Sequence, residues 1–558
     1  MDSTTKNHLE RLKSQTTEKF TLDKVPAWIV THTRINGSPY SFKDHEYQEK
    51  ILSDVSREVV VRKCSQVGLT EGSIRLALAV CAIQPYYTCI YTLPTATFAS
   101  NVMTTRVDPV ITSSQYLSDL IDKSTDNASV KQLGDSFLYM KGSASGNAPI
   151  SIPADHLIHD ELDFCDLSII EQYQSRLTHS PHKRRSKFST PTQPKFGIDA
   201  EFAESRRHFN MVKCEHCNEY FVPDYYKHVK IPGYTGHLEE ITKRVLPTIR
   251  WQEAEVICPK CGKAPSLQLE HRHWVCENAS ENYMANGYQV SPFDAPNIIS
   301  PAYLVEASTK YARRSQFVNF NLGLPMADSE STLLEGELRA AIIQHAELHG
   351  VSYVMGIDMG LNCHVVVAAV LPDGRLILVH CEQVHHTKIT ERRVDLARKY
   401  WPRVTVVDAY PYTETVYRMQ AQDRNLFAAV YVERKSIETH NVVDKEEDKE
   451  EAALELRQVN VNRNRAFDAL MDNIRQGNIL KLHDDLDDAW VTQLQDMKRI
   501  QKFTQAQELE YVWSKSKDGN DHFHHATLYA ATAAKMLGIS HSRIALPSLV
   551  STFKVKRR

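Results

Sequence analysis

Residues 58–76 read Glu-Val-Val-Val-Arg-Lys-Cys-Ser-Gln-Val-Gly-Leu-Thr-Glu-Gly-Ser-Ile-Arg-Leu, and their reading decides the fold. Glu58–Lys63 is the β-branched run of a buried strand. From Gly72 to Ile83 the apolar residues follow a helical pattern. The loop between them holds Cys64, Ser65, Gln66, Val67, Gly68, Leu69 and Thr70. A strand, a tight loop and a helix N-terminus make an anion cradle, because first-turn N–H groups have no intrahelical partner and point at the bound group. A hydroxyl such as Thr70 then reaches a magnesium ion on a nucleotide. The usual pattern is Gly, four residues, Gly, Lys, then Ser or Thr. Here Lys63 takes the place of the first glycine and Leu69 that of the lysine, while Gly68 and Thr70 are in position. An ammonium at the start of the loop can approach the phosphates from the other side.

Outward from this loop, short apolar runs alternate with helical patterns. Tyr87–Leu93, His156–His159 and Ser186–Ser189 read as further strands, which predicts an α/β fold with a parallel sheet and crossover helices. The run His156-Leu-Ile-His-Asp160-Glu161 is a strand ending in adjacent acids. Asp160 can hold magnesium through water, and Glu161 can orient the attacking water. Gln48, just before the first strand, is a candidate reader of the adenine edge. Thr190, after the strand ending at Ser189, is a candidate sensor of the γ-phosphate.

Two Cys-x-x-Cys pairs, Cys214/Cys217 and Cys258/Cys261, interrupt the pattern within residues 210–280. Each pair can direct two thiolates at one tetrahedral zinc ion, and four thiolates leave no open position, so the expected zinc is structural. His216, His271, His273 and Cys276 are nearby spares. Cys64, Cys81, Cys89, Cys165, Cys363 and Cys381 lie in apolar surroundings and read as small core residues.

A second strand-rich block starts near Ser352. Asp358 ends the strand SYVMGID, Asp408 ends RVTVVD, and Asp521 opens a helical stretch, with Asp518 one turn earlier as a substitute. Three carboxylates so placed can hold two hard cations, magnesium or manganese, that clamp the attacking and leaving oxygens of a phosphodiester. His522, His524 and His525 are expected either to contact phosphate or to lie on the helix surface. The run Asp444–Glu451 reads as a solvated loop or helix end.

At 558 residues two or three domains are expected, and the net charge of −3 neither signals nor excludes nucleic acid. The N-terminus has no signal-peptide core and no apolar run is long enough to span a bilayer, so a cytoplasmic protein without a membrane partner is expected.

From about Ser38 to Ala534 the sequence resembles the large subunit of tailed-phage terminases, in the branch typified by phage lambda. The landmarks are YQEKIL, KCSQVGLTEG, TLPTATFASNV, HDELD, STPT, the cysteine pairs, NFNLGLPM, GIDMG, VVDAYPYTETVYRM and DHFHHATLYA. That branch also tends to carry a basic residue at the start of the loop. The resemblance implies a P-loop ATPase domain of the ASCE type over 41–345, with a zinc-ribbon-like insertion, and an RNase H-like α/β nuclease domain over 350–540. Residues 1–40 would be an arm for the small terminase subunit, and 541–558 a basic tail. By the same resemblance the cofactors are ATP, Mg²⁺ or Mn²⁺, and Zn²⁺. Lys63, Gly68 and Thr70 would bind phosphate and magnesium, with Asp160 on magnesium, Glu161 catalytic, Gln48 on adenine and Thr190 coupling. Asp358, Asp408 and Asp521 would bind the nuclease metals, although His525 stands where many relatives have an acid.

The implied function is an ATP-driven motor that moves double-stranded DNA into a procapsid and an endonuclease that cuts concatemers, in the host cytoplasm. The implied partners are double-stranded DNA, the small subunit and the portal, with the chain forming a homo-oligomeric ring. Arg106, Arg176, Arg184 and Arg185 are candidates for an arginine finger. Two other readings share the motifs. A helicase-like translocase with a nuclease should carry a second ATPase-like lobe, whereas only one phosphate loop is found. A non-catalytic docking component with a decayed nucleotide site is suggested by Leu69. A zinc-dependent hydrolase fits poorly, because the four cysteines saturate the metal and no HExxH helix occurs.

Overall fold

The computed structural model describes residues 22–143, 152–279, 282–311, 313–326, 332–432, 439–442, 457–503, 509–516 and 519–537. The first part of the expected arm, the acidic run Asp444–Glu451, Asp518 and the basic tail lie outside the described residues. The chain divides into two compact units, Met1–Asp328 with Ile500–Tyr511, and Ser329–Arg499 with Val512–Arg558. No helix among the described residues is long and apolar enough to cross a membrane.

The first unit is built on one sheet. Its strands are β1 (Glu58–Lys63), β2 (Thr88–Leu93), β3 (Val130–Leu133), β4 (Ser136–Gly142), β5 (His156–Asp160), β6 (Arg184–Ser189), β7 (Arg206–Lys213), β8 (Tyr220–Phe221), β9 (Arg272–Cys276) and β10 (Ala285–Val290). The order across the sheet is β8-β7-β10-β1-β6-β5-β2-β4-β3, with β9 also pairing β7. The stretch from β7 to β4 is parallel. The expectation of a parallel sheet needs correcting at the edges, where β3, β8 and β9 run antiparallel. Short connections explain this: Gly134 and Asp135 alone separate β3 from β4, which permits a hairpin but no crossover.

Helix α1 (Tyr47–Leu52) precedes β1, and α2 (Leu69–Ile83) follows the loop after it. The central strands are buried on both faces, as parallel strands between helices must be. Helix α2 is likewise buried almost all round, including Arg75. That charge is compensated: its guanidinium pairs with Glu71 at 2.5 Å, donates to Thr33 Oγ1 and the Arg34 carbonyl, and lies 4.4 Å from the Tyr40 ring centroid. A buried charge is tolerated only with such partners. The six cysteines expected in the core are all buried.

From β1 the chain crosses to β2, and β5 and β6 later fill the two positions between them, while β10 joins the other side of β1. The C-terminal ends of β1, β6 and β5 therefore lie side by side at a topological switch point, where open α/β sheets bind ligands.

The second unit has a nine-stranded sheet: β11 (Ile342–Ile343), β12 (Ser352–Asp358), β13 (Asn362–Val370), β14 (Leu376–His385), β15 (Val404–Asp408), β16 (Leu426–Tyr431), β17 (His440–Val442), β18 (Gln458–Val461) and β19 (Ile479–Leu482). Its order is β11-β19-β14-β13-β12-β15-β16-β18-β17. β14, β13 and β12 form an antiparallel meander, and β15 and β16 extend it in parallel from β12. The boundary expected near 345–350 moves to about 329. Leu338 is buried in the second unit's core, and Ile342 pairs with Lys481 of β19.

Strand alternation divides this sheet into two cores. Met355, Ile357, Val365 and Val407 face Ile389, Leu396 and Met419. Val354, Val366 and Val406 face the other way, onto helix α3 (His522–Met536) through Ala526, Tyr529 and Ala530. Gly356 and Asp358 share the parity of Val354, so both point at α3. At Gly356 a Cβ would stand 2.2 Å from the Ala526 carbonyl oxygen and 2.3 Å from the Ala530 nitrogen, so the strand and helix backbones touch there.

Candidate functional site

At the end of β1, the Cys64 N–H donates to the Val290 carbonyl at 3.0 Å and the Ser65 N–H to the Phe320 carbonyl at 2.7 Å. The loop then turns through left-handed residues at Gln66 (φ 63°) and Gly68 (φ 66°) into α2. Gly323 packs against its start, where a Cβ would lie 2.5 Å from the Cys64 nitrogen. The conformation of the loop is thus set by the ends of β1 and β10 and by the segment around Phe320–Gly323.

Two pairs join the loop to the end of β5. Thr70 Oγ1 donates to Asp160 Oδ2 at 2.8 Å, and Lys63 Nζ reaches Glu161 Oε1 at 3.1 Å. Tyr91 from β2 also donates to Asp160 Oδ2 at 2.8 Å. Lys63 is 5 % exposed. Burial lowers its pKa, but the charges of Glu161 and Asp160 outweigh this and raise it on balance. Leu69 packs inward in the core, and the buried ammonium beside the acids is that of Lys63. Glu161 is itself left-handed (φ 53°), a strained conformation for a residue with a side chain.

Not every expected residue is free to face a ligand. Gln48 is fully buried, donates to the Val67 carbonyl at 2.8 Å and accepts from Tyr40 at 3.3 Å, so its amide braces the loop. Thr190 is buried beside Ser189, whose hydroxyl donates to the Thr190 carbonyl at 3.0 Å. Of the arginines, Arg184 is buried and donates to the Asp54 carbonyl, and Arg185 pairs with Glu58; both sit at the start of β6, opposite to the end bearing Thr190. Arg176 is half-buried and donates to Ser175. Arg106 is half exposed and pairs with Glu71 at 3.2 Å, one residue from Thr70.

Sequence reasoning passed over Asp163. Its carboxylate is fully buried and accepts from the Thr192 N–H (2.7 Å), the Thr192 hydroxyl (2.8 Å) and the Ile198 N–H (2.7 Å). Burial pushes its pKa up to about 7 against the pull of these donors. Asp163 thereby ties the turn after Asp160 and Glu161 to the segment after Thr190. The available signal was the third acid of Asp160-Glu-Leu-Asp163. Asp163→Asn would turn an amide NH₂ toward one of these donors and is expected to destabilise the chain by about 1–3 kcal/mol, read by urea unfolding. Unchanged stability would mean that the clamp is dispensable.

In the insertion, the two cysteine turns are alike. Asn218 (φ 59°) and Gly262 (φ 70°) follow the pairs, and their N–H groups donate to the Cys214 and Cys258 carbonyls at 2.8 and 3.0 Å. The four sulfurs gather: Cys214 lies 3.7 Å from Cys261, Cys217 lies 3.6 Å from Cys258, and all are within 4.8 Å of one another. His216, His271, His273 and Cys276 are not in this group.

In the second unit, Asp358 and Asp408 end the adjacent parallel strands β12 and β15. Burial pushes Asp408 up to about 6, and the nearby charge of Asp358 adds to this. Asp521 stands at the N-cap of α3 and pairs with His525 at 3.2 Å. Burial raises its pKa, but the His525 hydrogen bond and charge carry it far below the usual carboxylate range. Among the described residues the donors that converge within 4.8 Å here are those of Asp358, His364 and His522, so the expected trio of acids is not the group that meets. The surface position expected for the helix histidines holds for neither His524, which is 1 % exposed, nor His525, which donates or accepts at 2.5 Å with Tyr431.

The strand order, with the loop and acids paired across it, gives the first unit an ATPase-type α/β fold. Residues 31–279 match the family model described as phage terminase large subunit gpA, ATPase domain. No curated protein matches. Among solved structures, the chain is similar to the large terminase of bacteriophage HK97 at 12 % identity and a TM-score of 0.49, over 92 % of this chain and 100 % of that one. It is similar to the large terminase ATPase domain of Thermus phage P74-26 at 13 % identity and a TM-score of 0.31, over 52 % and 98 %. It is also similar to the large terminase nuclease of thermophilic phage G20c at 14 % identity and a TM-score of 0.24, over 35 % and 95 %.

Proposed function

We propose that this chain hydrolyses ATP to drive double-stranded DNA into a procapsid and cuts concatemeric DNA with a metal-dependent nuclease. The observation that carries the first half is the double link Thr70–Asp160 and Lys63–Glu161 across the ends of β1 and β5. Thr70 and Asp160 are the residues that would hold magnesium on the nucleotide, and Glu161 would orient water toward the γ-phosphate. Lys63 would move from Glu161 to the phosphates, which frees the carboxylate for that role. Its charge argues against a decayed site. The neighbouring β6, lying between the strand of the loop and the strand of the acids, supports an ASCE-type arrangement. Thr190 at its end, tied to the acids through Asp163 and Thr192, would report the state of the γ-phosphate. Arg106 is the arginine best placed to act beside the loop.

The nuclease half rests on the meander β14-β13-β12 extended by β15 and β16, which is the strand order of an RNase H-like sheet, with Asp358 and Asp408 at its centre. Asp521 is a third candidate carboxylate. The partners under this reading are double-stranded DNA, the small terminase subunit and the portal, with the chain acting as a ring in the host cytoplasm. Contacts to DNA would be chiefly to phosphates, because a motor must accept any sequence. ATP turnover should therefore rise with duplexes of unrelated sequence, and the stimulation should fall steeply with salt. Turnover indifferent to duplex DNA would sink the motor reading.

The four cysteines would hold structural zinc. Metal analysis should find one zinc at this cluster per chain, lost in Cys258→Ser together with cooperative unfolding of the insertion. A zinc-free chain whose melting is unaltered by Cys258→Ser would contradict this.

A further inference from the structure

The Asp160 carboxylate is fully buried and is held by donors from three directions. The Glu161 N–H donates to Oδ1 at 3.0 Å, and the hydroxyls of Thr70 and Tyr91 both donate to Oδ2 at 2.8 Å. Thr70 and Glu161 lie in the segments that must adjust to a nucleotide, the loop and the turn after β5. Tyr91 belongs to neither. It stands on β2, beside β5 and in register with Ile158. Asp160 shares the parity of Ile158, so Tyr91 and Asp160 both point to the face that α2 covers.

Ser73 of α2 anchors this tyrosine from behind. Its Oγ lies 2.8 Å from the Tyr91 hydroxyl and 3.0 Å from the Thr70 carbonyl. A hydroxyl has one proton to give, and that of Tyr91 goes to Asp160, because a carboxylate only accepts. Ser73 is therefore the donor in its own contacts, toward Tyr91 or toward the Thr70 carbonyl. Asp160, Tyr91, Ser73 and Thr70 thus close a ring of hydrogen bonds across β5, β2 and α2. Tyr91 and Ser73 are both fully buried. Bulk water does not take the place of a hydroxyl removed there, and a buried carboxylate that loses a donor bears the full cost of the missing bond.

We propose that Tyr91 is a positioning residue for the magnesium of the nucleotide: its hydroxyl fixes the orientation in which the Asp160 carboxylate meets the ion, with Ser73 as its anchor. The inference deepens the ATPase reading and rests on it for the presence of nucleotide and magnesium. Asp160 would hold the ion through water, so the aim of its oxygens decides how well that water is held. Without the Tyr91 hydroxyl, Oδ2 would keep only Thr70, a donor on the loop that must itself serve the ion. The carboxylate would then shift with the loop, and ordering it would oppose each binding of magnesium. Tyr91 touches neither phosphate nor the attacking water in this account, and no proton leaves it.

The test is nucleotide binding with and without magnesium, on the full chain, unaltered and as Tyr91→Phe. A fluorescent ADP analogue is titrated once in excess EDTA and once in magnesium, and the ratio of the two affinities is the gain due to the metal. Tyr91→Phe keeps the ring and is expected to bind the analogue in EDTA as tightly as the unaltered chain. Its gain due to magnesium should be about tenfold smaller, the lower end for loss of a group behind a metal-holding residue. The magnesium concentration that half-saturates ATP turnover should rise with it. An unchanged gain in Tyr91→Phe would overturn the inference and leave the ATPase reading standing. Equal weakening with and without magnesium would make Tyr91 a packing residue and would overturn the inference too. An unaltered chain that binds the analogue in neither medium would sink the ATPase reading, and this inference with it.

Discussion

Glu161→Gln is expected to lower ATP turnover by about 10²–10⁴-fold, the range for loss of a positioned general base. The amide keeps the size of the side chain and can still accept from Lys63, but it cannot take a proton from water. Nucleotide binding should persist, because Thr70 and Asp160 are untouched. The expectation is sharp because the structure holds Glu161 in the left-handed region (φ 53°), where the strain of order 1–3 kcal/mol is borne by the surrounding contacts. Asp160 accepts from the Glu161 N–H at 3.0 Å, and Lys63 holds the carboxylate at 3.1 Å. Turnover within about threefold of the unaltered chain, measured by phosphate release, would show that another group orients the water.

The second large effect is structural. Gly356→Val should destabilise the second unit by about 3 kcal/mol or more, the upper end for overpacking. A Cβ there meets the backbone of α3 at 2.2 and 2.3 Å, and backbone atoms cannot rotate aside as a side chain can. The helix would have to lift from β12, which would carry His522 away from Asp358 and expose the apolar face of Ala526, Tyr529 and Ala530. Calorimetry should record a transition of the second unit lower by several degrees, at roughly 2–4 °C per kcal/mol for a unit of this size. An unchanged transition would mean that α3 does not pack as described.

The strands were legible where β-branched runs are uninterrupted, as in Glu58–Lys63 and Ser352–Asp358. The antiparallel edges were less so, because pairing direction depends on connection length and partner rather than on the strand's own residues. The loop was found despite Leu69, since the context of strand, glycine and helix survives the missing lysine. What Lys63 does there could not be read, because its pairing with Glu161 joins positions 98 residues apart. Asp163 was hidden for the same reason: its worth lies in Thr192 and Ile198. His364 had a local signal, a histidine in an otherwise apolar strand, but its register opposite Asp358 is a property of the hairpin. Gln48 shows the converse. Its position before the loop suggested a ligand contact, and in three dimensions its amide is spent on the Val67 carbonyl.

The central claim is that one chain carries two separable chemistries. The direct measurement takes plasmid cleavage with manganese and ATP turnover from the same preparations of the unaltered chain, Lys63→Ala and Asp358→Ala. The account predicts that Lys63→Ala loses turnover and still cuts, while Asp358→Ala loses cutting and still turns over ATP. Equal cutting by Asp358→Ala and the unaltered chain, or turnover undiminished in Lys63→Ala, would contradict it.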